Sequence, residues 1–100
     1  MIIVTVHHWC KPGMVEQARE RIDSNGDEMA KWKGFLFRHR IEKADEPQRV
    51  STVSGWSDEP SYRAYQSAKK AKDAAANAVS PYERVQNEVF AVQHSHSSAA

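Results

Sequence analysis

What this chain lacks narrows its possibilities first. It has one cysteine, Cys10, so no internal disulfide can form and nothing calls for an oxidising compartment. It has no excess of either charge: 14 Lys and Arg against 13 Asp and Glu leave a formal net charge of +1. That balance gives no reason to expect nucleic acid or an anionic membrane as a partner. No apolar run approaches membrane-spanning length. The opening run Met1-Ile2-Ile3-Val4-Thr5-Val6 is apolar but short, with no basic leader and no small-residue cleavage site, so no signal peptide is expected. A cytoplasmic location is the resulting expectation. A length of 100 residues is too short for two cores. One domain is expected, small enough that a partner subunit would help it bury apolar surface.

Residues 2–9 are rich in β-branched side chains and read as a strand, which Lys11-Pro12-Gly13 stops. Residues 14–32 carry Met14, Ala18, Ile22 and Met29 at helical spacing. Ser24-Asn25-Gly26 interrupts that run, and a glycine inside a helix costs about 1 kcal/mol relative to alanine. One helix with a weak or bent centre is predicted, and two short helices are the alternative. Residues 34–43 alternate, with Phe35, Phe37, His39 and Ile41 on one face and Leu36, Arg38 and Arg40 on the other. After a polar turn, residues 49–56 form the partner strand of a hairpin, with Val50, Thr52, Ser54 and Trp56 on one face.

Ser57-Asp58-Glu59-Pro60 supplies a cap, acids and an early proline for a second helix. Its stripe of Ala64, Ala68, Ala71, Ala75 and Ala78 would let it lie close to a neighbour, and it should stop before Ser80-Pro81. Residues 83–93 read as the last strand, and 94–100 as a disordered tail outside a domain of residues 1–93. The order is β-α-β-β-α-β, the ferredoxin-like α+β pattern with an antiparallel sheet. Two helices on one face leave the other bare. Ile3, Leu36 and Val53 are expected there, with Trp9 near the edge. A second copy is the natural cover, so a homodimer is expected.

The strand ending in Lys11-Pro12-Gly13, then Lys33-Gly34-Phe35-Leu36, then Gly55-Trp56-Ser57-Asp58-Glu59 leading into Tyr62-Arg63-Ala64-Tyr65, resembles the antibiotic biosynthesis monooxygenase family. The resemblance runs over residues 2–93 and is most specific at Trp-Ser-Asp-Glu and the aromatic helix start. It implies a dimeric α+β barrel. That superfamily includes cofactor-free monooxygenases that turn phenolic anthrones into quinones, haem-degrading enzymes and sugar-signal isomerases, so the fold implies architecture before activity. In the quinone-forming branch a Trp ending the third strand and a Tyr on the next helix hold the substrate. Trp56 and Tyr62 match them. The branch's Asn, four residues before that Trp, is Thr52 here, and its later Arg is unmatched in Ala74-Ala75-Ala76. The haem-degrading branch fits less well: its Asn, Trp and ligand His correspond to Val6, Tyr65 and Ala74.

An oxygenase without metal or flavin must hold an electron-rich phenol, favour its anion and leave room for dioxygen; no cofactor or metal is expected. Trp56 would wall the pocket, Thr52 shares its face, and Tyr62 and Tyr65 would supply hydroxyls. By strand parity His8 lies with Val4 and Val6 on the helix side and would serve as a base titrating near neutrality. The plainer reading makes Trp56 a core residue and the tyrosines packing residues. His7 and His8 point to opposite faces and cannot chelate one metal together. His94 and His96 form at most a weak metal pair, and Cys10 reads as unreactive. The Lys69-Lys70-Lys72 cluster is either a solvated face or an anchor for an anionic substrate at the pocket mouth. The expected ligand is a small hydrophobic or aromatic molecule. Three functions remain open: a cofactor-independent monooxygenase acting on an aromatic or polyketide-like phenol, another small-molecule enzyme of isomerase or haem-modifying type, and a non-catalytic ligand-binding or stress-related dimer.

Overall fold

The computed structural model describes residues 1–76 and 79–98. The elements run β1 (Ile2–Cys10), α1 (Val15–Met29), β2 (Phe35–Glu42), β3 (Arg49–Trp56), α2 (Glu59–Ala76) and β4 (Tyr82–Ala91). The strands make one antiparallel sheet in the order β2-β3-β1-β4. This is the ferredoxin-like α+β fold. Residues 94–98 carry no helix or strand, while Ala78 of the expected stripe and Ala99-Ala100 of the expected tail lie outside the described residues.

Register sorts the sheet into two faces. Val4 pairs with Ser54, Val6 with Thr52 and His8 with Val50, so these side chains share one face. The helices pack on that side, where Val4, His8, Val50, Thr52, Ser54 and Trp56 are buried. Helix α1 runs unbroken through Ser24-Asn25-Gly26 and buries Ala18, Ile22 and Met29. Helix α2 starts where Asp58 Oδ1 accepts the Ser61 N–H at 2.8 Å, and that bond holds the Asp58 carboxyl below its usual range. Gly34, at φ +88°, turns the chain into β2, and its carbonyl accepts the Ser57 N–H at 2.7 Å.

Two expectations are corrected. The alanine stripe of α2 does not pack: Ala64, Ala68, Ala71 and Ala75 are exposed, and the buried residues of this helix are Tyr62 and Tyr65. Aromatic side chains gain far more from leaving water than methyl groups do, so the tyrosines set the helix's rotation. The strict alternation read into β2 also fails. Phe35 pairs with Trp56 and Phe37 with Gly55, which leaves Leu36 as a bulge. Beyond it the parity is reversed. Phe35 stays in the core, whereas the Phe37 ring lies where a Cβ on Gly55 would sit, on the face away from the helices. Arg38 and Arg40 turn toward α1, where Arg40 Nε meets Asp23 Oδ1 at 2.9 Å.

The core divides in two. One cluster gathers Ile2, Val4, Met29, Trp56, Tyr62 and Tyr65; the other gathers Cys10, Ala18, Ile22 and Val50. A cavity adjoins the first, lined by its Val4, Met29, Tyr62 and Tyr65.

Candidate functional site

The cavity has a volume of about 420 Å³ and lies between the sheet and the two helices. That is within the usual range for small-molecule sites. Val4, Val6 and Met29 give it an apolar floor, and Thr52, Ser54 and Tyr82 add hydroxyls. Of the five residues singled out from the sequence, His8, Thr52, Tyr62 and Tyr65 line it together. Trp56 does not. Its ring is fully buried behind the two tyrosines, with centroids 5.7 Å from Tyr62, 5.8 Å from Tyr65 and 5.6 Å from Phe35. Instead of walling the pocket, Trp56 backs the residues that do. Its Nε1–H is buried without a hydrogen-bond partner among the described residues.

His8 is held on both sides. Nδ1 lies 3.0 Å from the Val50 carbonyl oxygen, which can only accept, so Nδ1 carries the proton and Nε2 is left as the acceptor. The Tyr82 ring packs against the imidazole at 4.6 Å. Burial lowers the His8 pKa to about 4; the bond to Val50 opposes the shift, and the charges of Arg38 and Lys69 deepen it. The expectation of a base titrating near neutrality is corrected accordingly: His8 is a neutral hydrogen-bond acceptor at pH 7. Burial likewise raises Tyr65 and pushes Tyr82 up to about 12, so both phenols stay protonated donors.

The wall is also more basic than the whole chain. Arg21, Arg38, Lys69 and Lys70 face the cavity with one carboxylate, Asp73. Asp73 is engaged by Lys69 at 2.6 Å and Arg21 at 3.8 Å. Arg38 donates from Nη1 to the Ile22 carbonyl oxygen at 2.5 Å. Strand parity alone does not place Arg38 here, because the bulge at Leu36 reverses it. One signal did point there: Gly26, in the middle of α1, leaves the space its guanidinium occupies, for a Cβ there would lie 2.7 Å from Arg38 Nη1. Tyr82 was missed because β4 starts one residue earlier than expected, pairing Tyr82 with Cys10.

No group of three His, Cys, Asp or Glu residues able to hold a metal occurs among the described residues. His94 and His96 face each other in the tail with Nε2 atoms 3.0 Å apart, away from the cavity residues. No described helix is long and apolar enough to cross a membrane.

Solved structures with this architecture are numerous and distant. A putative antibiotic biosynthesis monooxygenase from Nitrosomonas europaea superposes with a TM-score of 0.74 at 15% identity, over 94% of this chain and 100% of that one. A variant of SnoaB, a cofactor-independent oxygenase from Streptomyces nogalater, gives 0.71 at 12% identity over 94% and 95%. A variant of MhuD with two manganese protoporphyrin IX molecules bound per active site gives 0.80 at 14% identity over 98% and 100%. Among curated proteins there is no sequence match. At such identities the likeness establishes the fold alone. The sequence model of one family, however, matches residues 1–77, from β1 through the whole of α2, and the chain belongs to the antibiotic biosynthesis monooxygenase family.

Proposed function

We propose that this chain is a cytoplasmic, homodimeric, cofactor-independent monooxygenase acting on a small aromatic or polyketide-like phenol. The observation that carries the reading is the convergence of His8, Thr52, Tyr62 and Tyr65 on one largely apolar cavity of about 420 Å³. The chemistry asks little more of a protein. A phenolic anthrone that loses a proton is reducing enough to react with dioxygen directly. Its CH₂ and O₂ become C=O and H₂O, so one oxygen atom enters the product and the other leaves as water. His8 Nε2 accepts the phenolic proton, and the nearby positive charges of Arg38 and Lys69 favour the anion left behind. Tyr62 and Tyr65 orient the ring by hydrogen bonds, and Trp56 fixes both tyrosines from behind. Residues 1–93 make up the working domain, and the segment from 94 on is dispensable for it.

Oxygen uptake with 1,8-dihydroxyanthrone tests this. The expected result is quinone formation in step with O₂ consumption, at a rate lowered roughly tenfold or more by Tyr62→Phe in a protein that stays folded. A rate equal to that of protein-free buffer overturns it. The depressed pKa of His8 favours a second reading, a ligand-binding dimer without turnover. In that case the anthrone binds but no oxygen is consumed. Haem is expected to bind weakly, because α2 presents exposed Ala74 where the haem-degrading branch has its ligand histidine. Titration with haemin should give no strong Soret band.

A further inference from the structure

Arg38 stands on the cavity wall with a backbone carbonyl as its hydrogen-bond acceptor and no carboxylate in ion-pair contact among the described residues. The Ile22 carbonyl takes one of five guanidinium N–H donors and none of the charge. Asp23, whose charge is felt at Arg38, is ion-paired with Arg40 at 2.9 Å, and Asp73, the carboxylate on the cavity wall, with Lys69 at 2.6 Å. Removing a guanidinium from water with no carboxylate in contact is costly, and its planar fork matches a carboxylate better than any neutral group. Helix α1 makes room for it at Gly26, and the bulge at Leu36 turns it inward.

Register fixes what lies beside it. Arg38 pairs with Ser54, and Ser54 with Val4, so the three form one row across the cavity floor. Two strand spacings separate the backbone of Arg38 from that of Val4, roughly 10 Å. A flat fused-ring molecule with an acid at one end has about that reach. Lys69 and Lys70 lie on the α2 side of the same cavity and strengthen its pull on anions.

We propose that the cavity is built for an aromatic carboxylate, with the carboxylate received by Arg38 and the ring lying over Val4 and Val6 between Tyr62, Tyr65 and Met29. This rests on the cavity's being the ligand site, and it names the class of ligand the site takes.

Calorimetric titration of the full chain with 2-naphthoate and its neutral isostere 2-naphthamide tests it, with 2-naphthol as a third probe. The acid should bind on the order of tenfold more tightly than the amide. In Arg38→Met that gap should close while the affinity for the amide is kept. Arg38→Lys, which keeps the charge but loses the fork, should fall between and serves if Arg38→Met does not fold. An amide that binds wild-type protein as tightly as the acid overturns the proposal and leaves the cavity as a ligand site. A gap that survives in Arg38→Met overturns it in favour of Lys69 and Lys70. Naphthol binding as tightly as naphthoate overturns the carboxylate in favour of a phenol. Failure of all three probes to bind overturns this inference and the proposed function together.

Discussion

His8 owes its neutrality to burial, and that has a thermodynamic consequence. The native ring stays unprotonated down to about pH 4, while the unfolded chain protonates near the ordinary histidine value of 6.5. Between those values the unfolded state binds more protons, so stability is complete above the higher pKa and falls as the pH drops toward the lower one. Below it both states are protonated and the loss stops growing. The window corresponds to about 3 kcal/mol. Denaturant midpoints at pH 7 and near pH 4 should therefore differ more in wild-type protein than in His8→Asn; equal differences would remove His8 as the cause. If the protein turns over, the His8 limb of kcat/KM should lie near pH 4. A second prediction concerns Gly26. Alanine there should add about 1 kcal/mol of helix stability, but its Cβ would meet Arg38 Nη1 at 2.7 Å. Gly26→Ala should therefore leave the melting temperature almost unchanged in wild-type protein and raise it in Arg38→Met. The same rise in both backgrounds would show that Arg38 yields freely. The placement of His8, Thr52, Tyr62 and Tyr65 around one cavity was legible because parity and helical spacing depend only on local sequence. Arg38 was not, because its direction depends on a pairing irregularity that leaves no trace in composition.

The helices and strands themselves were largely readable. Alternation, caps and turn residues report local preferences, and those agree with the final elements. The rotation of α2 was less so. Alanine favours a helix whether buried or exposed, so a stripe of it does not say which side faces the sheet. Tyr62 and Tyr65 decide that, and the stripe is left in water. Ala71→Gln should consequently change stability by less than about 0.5 kcal/mol, as measured by chemical denaturation. A loss of several times that size would mean that the stripe packs against something. Strand β2 misled in a different way. Its apolar residues alternate well from Phe35 to Ile41, yet the pairing with β3 slips by one residue between Phe35 and Phe37. The alternation is real but belongs to two faces: Phe35 to the core, and Phe37, His39 and Ile41 to the opposite side.

That opposite side sets the expected assembly. Ile3, Trp9, Phe37 and Val53 are half-buried on it with neither helix above them, and Ile41 and Phe90 are 47% and 48% exposed. The Arg84 guanidinium lies 3.7 Å over the Trp9 ring near the rim. An apolar sheet face of this kind is stable in water when a second copy covers it. Light scattering should give twice the chain mass at micromolar concentration, and Val53→Asp should give the single chain mass with the fold retained. A wild-type monomer would remove the dimer from the proposed function. The bulge at Leu36 ties this surface to the cavity on the other side of the sheet. It works like a frameshift in a two-letter code: everything after it in β2 is read in the other frame. An in-frame deletion of that single codon would take out the slip and leave both readings in place: Phe35 would stay opposite Trp56 and Phe37 opposite Gly55, now as ordinary neighbours. Ligand binding and self-association, separate properties on opposite sides of the sheet, should both survive it.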